Sequence, residues 1–312
     1  GHRGRAAEQP ARDARVARRR DLTERTRERA GGADAARADA PLLVALRAES
    51  DGYECALRAA RSGRQGDVHA LRIATRRMLA LVEFAAALAP SGKWPALVRE
   101  LRRPFRRCAR LRDLQTMRAR LRRMRDAGAA PRAALQAMLD SLDDSLRRRR
   151  DRTIAQLAAA RPRRTCRRIM QLAAARLAPD PSAVAVRACL DRSRQAVRAA
   201  CRRMCKGGMK ALHRARVAIK ACRYQFELAP ALGARVRPAE LRVLRSLQKQ
   251  LGAITDLELL RRETKQSARR HPGRRRALGQ IRRRIGRESE QRRARVLAAA
   301  GRGDIVAAPG SG

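Results

Sequence analysis

The chain is poor in aromatic side chains: one Trp, two Tyr and three Phe amount to 2% of 312 residues. Single-stranded bases are held by repeated aromatic platforms, so that mode of nucleic-acid binding is excluded, while duplex binding is not. Long apolar runs are missing too, and no window approaches the ~20 residues that a membrane-spanning helix needs. The N-terminus carries charges of both signs, unlike a secretory leader, so a cytoplasmic location is expected. Nor is there sustained period-two alternation of β-branched and aromatic residues, which leaves an all-α fold.

Cysteine is sparse. The seven thiols are an odd number and mostly isolated, which suits reduced side chains used as small core residues. Cys201, Cys205 and His213 come close in sequence, but a structural zinc site needs a fourth ligand and none is nearby, so no metal is expected. The sequence contains no G-x-x-x-x-G-K-(S/T) phosphate loop, no H-E-x-x-H, no serine elbow and no paired acidic motif. Phosphoryl transfer and metal-assisted hydrolysis need one of these, so the chain reads as a binding protein without cofactor and not as an enzyme.

What it has is arginine. Lys and Arg total 76 against 29 Asp and Glu, a formal net charge of +47, and only six of the 76 are lysine. Such a chain repels itself and attracts any polyanion within reach. A GC-rich genome raises Arg and Ala together, so the placement of the charges is more informative than their sum.

Residues 1–40 hold almost no large apolar side chain and read as a disordered basic arm. From Pro41 the spacing turns helical. Helices are expected over about 41–61, from an N-cap at Gly66–Asp67 to about 89, over 95–126 with a kink at Pro104, and over 131–160. The Pro-rich stretch Ala178–Ser182 reads as a linker. The cycle then resumes with helices over about 184–206, through 229, over 238–268, and from Gly273 to about 300, followed by a loose tail over 301–312. Residues 41–180 and 181–300 thus read as two four-helix halves.

The halves share a motif. "HALRIATRRML" begins at His69 and "HRARVAIKACRY" at His213, 144 residues on. On a helical wheel His69, Arg72 and Arg76 share one stripe, continued by Ala80 and Glu83, opposite Leu71, Ala74, Met78, Leu81, Val82 and Ala85. In the second copy His213, Arg216, Lys220, Tyr224 and Glu227 share a stripe, with Arg223 at its edge, opposite Ala215, Ala218, Cys222, Phe226 and Ala229. Basic residues at this spacing also suit a solvated face. Recurrence argues for more, and so does a second match. "LRRPFRRCARLRDL" aligns with "LRSLQKQLGAITDL" at an offset of 143, which pairs Arg102 with Arg245, Arg106 with Lys249, and Asp113 with Asp256. Features repeated in order at one spacing point to duplication, and duplicated helical units commonly pack about a pseudo-two-fold axis, here with the basic stripes facing a shared groove.

These residues resemble the CHAD domain family, whose signature looks like His-x-x-Arg-(Val/Ile)-x-x-(Arg/Lys)-Arg-x-Arg followed by an Arg-Asp or Leu-Gly-x-x-x-Asp element. The resemblance covers roughly residues 41–300. It implies two similar four-helix halves around a basic central cavity that binds inorganic polyphosphate, with His69, Arg72, Arg76, Arg77, His213, Arg216, Lys220 and Arg223 facing the ligand. Leu79 and Ala221 depart from the signature, so each half lacks one cation. By their place in the repeat, Arg102, Arg106, Tyr224, Arg245 and Lys249 join the expected ligand-facing set.

Polyphosphate offers acceptor oxygens all round and no bases to read, and the planar, permanently charged guanidinium matches it. Asp113, Asp256, Glu83 and Glu227 are expected to hold arginines in place through bidentate pairs. The histidines, set beside phosphates, are expected to gain proton affinity. The rival reading is a nucleic-acid binder working through its basic arm, in which cations spread over an outer surface. A helical scaffold targeted to polyphosphate granules is compatible with the first reading.

Overall fold

The computed structural model describes residues 40–128, 131–177 and 183–301. The expected arm, the Ala178–Ser182 linker and the tail beyond Gly301 lie outside the described residues, apart from Ala40. Among the described residues ten α-helices run in chain order: α1 Pro41–Ala60, α2 Gln65–Leu88, α3 Trp94–Arg107, α4 Ala109–Asp126, α5 Arg132–Ala158, α6 Pro162–Arg176, α7 Ala183–Lys206, α8 Met209–Leu228, α9 Pro238–Arg270 and α10 Arg275–Gly301. Among the described residues there is no strand.

Proline sets several of the starts. Pro41, Pro95, Pro162 and Pro238 occupy first-turn positions, where a missing N–H goes unfelt. Helix α2 begins before the expected cap: Asp67 lies inside its first turn and accepts a hydrogen bond from the Ser62 hydroxyl at 2.6 Å. The tight α1–α2 turn is possible because Gly63 takes φ 66°, with the Arg150 side chain packed where a Cβ would go.

Pro104 does more than kink its helix. The ring removes the donor that would reach the Glu100 carbonyl, and one turn on the helix is interrupted at Cys108, between α3 and α4, although the Cys108 N–H still bonds the Pro104 carbonyl at 3.1 Å. Its aligned position in the second half is Leu247, and there α9 continues unbroken for 33 residues. Residues 41–177 therefore hold six helical segments where four are expected, because of this break and because α6, opened by Pro162, follows α5.

Two apolar cores form. The larger gathers α1, α2, α3, α6, α7 and α8 around fully buried Leu46, Leu71, Met78, Phe84 and Phe226. The smaller joins Leu114, Met117 and Leu121 of α4 to α5, α10 and the distal part of α9. Helix α9 belongs to both, through Leu244, Leu251 and Ile254 on one side and Leu257 and Leu260 on the other. Five of the seven cysteines, Cys108, Cys166, Cys189, Cys201 and Cys222, are buried as free thiols, and burial pushes each of their pKa values up.

Candidate anion-binding cavity

Between the two cores lies a cavity of about 850 Å³, walled by α2 and α8 from one side and by α4 and α9 from the other. The same amphipathic helices build core and cavity. On α2 the face with Leu71, Ala74 and Met78 is buried, and His69, Arg72 and Arg76 fall opposite, in the cavity. On α4 Leu114 and Met117 enter the smaller core while Arg112, Asp113 and Thr116 line the opening.

Eight Arg and Lys side chains line this space against three carboxylates, Asp113, Asp256 and Glu258. Of these, Arg72 is held most firmly. It donates from Nη1 to the Phe105 carbonyl at 3.2 Å and lies 4.1 Å above the Phe105 ring. Arg76 lies 5.1 Å from the same ring, so the α3–α4 break presents one aromatic face to two guanidinium groups. Arg216 approaches the helix at Gly252, where an added methyl group would come within 3.8 Å of it, and its Nε is buried without a hydrogen-bond partner.

Crowded, partly buried like charge shows in the proton affinities. Lys220 is driven down to about 6, first by burial and then by Arg76, Arg216 and Arg72. Arg72 falls to about 10 from burial and the nearby Arg76, and burial lowers Arg112 and Arg216 as well. His69 is lowered by burial and by Arg112, Arg76 and Arg72, so without an anion in place its imidazole favours the neutral form. Burial raises the carboxyls of Asp113 and Asp256, partly offset by the arginines around them.

The structure brings together His69, Arg72, Arg76, His213, Arg216, Lys220, Asp113 and Asp256 in this cavity. The remaining expected residues lie elsewhere. Arg77 turns toward α1 and donates from Nε to Glu49 at 2.7 Å. Tyr224 is buried at 4% exposure, with the Arg223 guanidinium 4.0 Å from its ring. Arg223 and Arg245 both pair with Glu227, at 2.7 and 2.9 Å, and Arg102 sits 3.9 Å from Glu83. Arg106 and Lys249 are exposed and do not line the cavity.

The reason is that the stripes bend out of the cavity toward their C-terminal ends, where α2 packs on α8. Ala80 is buried there, and Gln225 donates to Glu83 across the contact at 3.2 Å. Glu227 supports Arg223 and Arg245 outside the cavity, but through Oε1 alone, so the expected two-oxygen bidentate pairing is not what it makes. Asp113 and Asp256 act on their arginines through space.

Four cations of the cavity were not among the expected residues: Arg112, Lys210, Arg214 and Arg262. Helical spacing does carry a trace of two of them. Gln248, Thr255 and Arg262 recur every seven residues along α9, and Arg112 and Thr116 lie one turn apart on α4.

An all-helical protein with a basic cavity between its two cores is the class that this geometry defines. Residues 44–265 match the CHAD domain, and the chain belongs to that family. Its fold is similar to the crystal structure of the CHAD domain from the plant Ricinus communis, with a TM-score of 0.69 and 19% sequence identity over 86% of this chain and 91% of that one. No curated protein sequence is matched.

Proposed function

We propose that the central cavity binds inorganic polyphosphate, and that the protein is a binding module and not an enzyme. The observation that carries this reading is the convergence of the repeated cations: Arg72, Arg76, Arg216 and Lys220, from two motifs 144 residues apart, line one cavity. CHAD domains are associated with polyphosphate, and the chemistry is suited to it. A flexible thread of phosphates neutralises several crowded cations at once, and each contact releases condensed counterions.

The reading includes an internal duplication. Glu83 with Arg102 and Glu227 with Arg245 are ion pairs at matched positions of the two halves, and Asp113 and Asp256 both face the cavity. Packing of α2 on α8 and of α4 on α9 suits a pseudo-two-fold arrangement about the cavity. Binding of this kind would bring the chain to polyphosphate granules in the cytoplasm.

The test is calorimetric titration with long-chain polyphosphate and with duplex DNA, at matched phosphate concentration and near-physiological salt. Two double variants are compared with the wild type, Arg72→Glu with Arg76→Glu and Arg216→Glu with Lys220→Glu. Much tighter binding of polyphosphate, lost in either variant and kept when charges in residues 1–39 are reversed, is the expected result. Equal affinity for DNA, with both ligands weakened alike by arm and cavity changes, would mark a generic basic protein and end the proposal.

A further inference from the structure

A second concave site lies on the other side of the α3–α4 break. It is a pocket of about 330 Å³ between the C-terminal turns of α3, the α5–α6 junction and the first turns of α6. On a protein of +47 a patch of arginines means little by itself. Three features set this one apart.

The first is a hydroxyl without a partner. Tyr53 of α1 is 1% exposed and reaches the pocket floor, yet among the described residues its hydroxyl has no hydrogen bond. Buried tyrosine hydroxyls normally find one. Burial raises its pKa, so the group stays protonated and is a donor aimed into the pocket.

The second is a division of labour among five arginines. Arg168 is tied to Glu100, and Arg107 donates to the Gln156 carbonyl, so both are held at the rim. Arg103, Arg161 and Arg164 line the same pocket, and among the described residues their side chains make no ion pair or hydrogen bond. Glu100, the sole carboxylate of the lining, is already engaged by Arg168 and by the Thr165 hydroxyl at 3.3 Å.

The third is the backbone. Helix α6 starts at the pocket with Pro162 in its first turn and no side-chain cap; Pro162 has no N–H and the Thr165 N–H donates to the Arg161 carbonyl, which leaves the N–H groups of Arg163 and Arg164 and the positive end of the helix dipole at the pocket's edge.

We propose that this pocket is a second anion site, which binds a small phosphate of orthophosphate to pyrophosphate size through Tyr53, the free arginines and the first turn of α6. The volume, on the order of ten waters at ~30 Å³ each, admits an anion of that size with room left for water. The phosphate comes either from a free small anion or from a short run of the same polymer that the central cavity takes. The site shares no lining residue with that cavity, so it stands or falls separately.

The experiment uses the full chain carrying Arg72→Gln and Arg216→Gln to silence the cavity, titrated with pyrophosphate and with long-chain polyphosphate. Into that background go Arg103→Gln with Arg164→Gln, both exposed positions that leave the core untouched, and separately Tyr53→Phe. Pyrophosphate should still bind, weakening at least about tenfold in the arginine variant and about tenfold in Tyr53→Phe, the size expected for one hydrogen bond to a charged acceptor. Loss of polyphosphate alone in both variants keeps the site and names the polymer as its source. If either variant leaves both ligands unchanged, the pocket is a diffuse basic patch and the proposal is wrong. Unchanged thermal melting of Tyr53→Phe separates a lost donor from a lost fold.

Discussion

Lys220 offers the sharpest test of the central cavity, because its proton is predicted to arrive with the ligand. In the empty protein its pKa is about 6, so at pH 7.5 only about 3% carries a charge, by the usual titration relation. Burial is the first cause; the charged groups acting on it are Arg72 and Arg76 from α2, Arg216 from its own helix and Asp256 from α9, and the three cations outweigh the single carboxylate. Filling the cavity with phosphates reverses that balance and should return the lysine toward its ordinary range of about 10. Binding is then coupled to uptake of up to one proton. Between pH 6.5 and 8.5 the affinity should fall by roughly 50- to 100-fold, the upper limit for a single fully shifted group. His69, also depressed in the empty state, adds to the fall at the acid end and works in the same direction.

The assay is calorimetry with long-chain polyphosphate at constant ionic strength in two buffers of different ionisation enthalpy, on the wild type and on Lys220→Met. Nearly all phosphates of a long chain are internal and stay ionised across this range, so the polymer contributes little. At pH 8 the apparent enthalpy of the wild type should depend on the buffer in proportion to nearly one proton, and that of Lys220→Met should not. Equal proton uptake by the two proteins would refute the reasoning, since the titrating group would then lie elsewhere.

The same residue links to stability with a definite sign. Its folded pKa of about 6 lies below the unfolded value of 10.5, so the unfolded chain holds the extra proton throughout that window and the empty protein should gain stability as pH rises through it; Lys220→Met should raise the melting temperature at pH 7 and flatten this dependence. Arg77 is half-buried against Glu49 and lies outside the cavity, so Arg77→Met should lower stability by about 1 kcal/mol, discounted for exposure, or roughly 2–4 °C by thermal melting, and leave polyphosphate affinity unchanged. Gly252→Ala adds a methyl at ordinary contact distance from Arg216 in mid-helix, so it should raise the melting temperature by an amount equivalent to about 0.5–1 kcal/mol; a loss of stability would mean that the Arg216 side chain cannot yield.

The amphipathic period made the helices and the buried faces of α2 and α8 readable, because a residue's side of a single helix is a local property. Leu71, Met78, Leu81 and Phe226 are buried where the wheel puts them. Pro104 announced a kink, and the alignment that pairs it with Leu247 also explains why one half has a broken helix and the other a continuous one. Helix α6 escaped because its 15 residues carry only three buried side chains, Cys166, Ile169 and Ala173, too few to stand out against arginine.

The limits of the cavity were harder to read, since they depend on where two helices meet and not on either helix alone. A stripe drawn on a wheel runs the full length of α2, but α8 covers its later turns, so Glu83 and Tyr224 leave the cavity for the helix contact while Arg72 and Arg216 stay. Arg77 and Arg223 show the consequence. Their place in the family signature is a fact about sequence, yet each is engaged by a glutamate outside the cavity, Glu49 and Glu227. Signature cations thus divide into those that line the cavity and those that pair with glutamates outside it. Had all of them faced the cavity, the empty protein would carry still more unpaired charge than the eight cations already there, among which burial and then Arg76, Arg216 and Arg72 drive Lys220 down to about 6. Placing part of the signature in ion pairs outside keeps the fold stable enough to leave the remainder unpaired for a ligand.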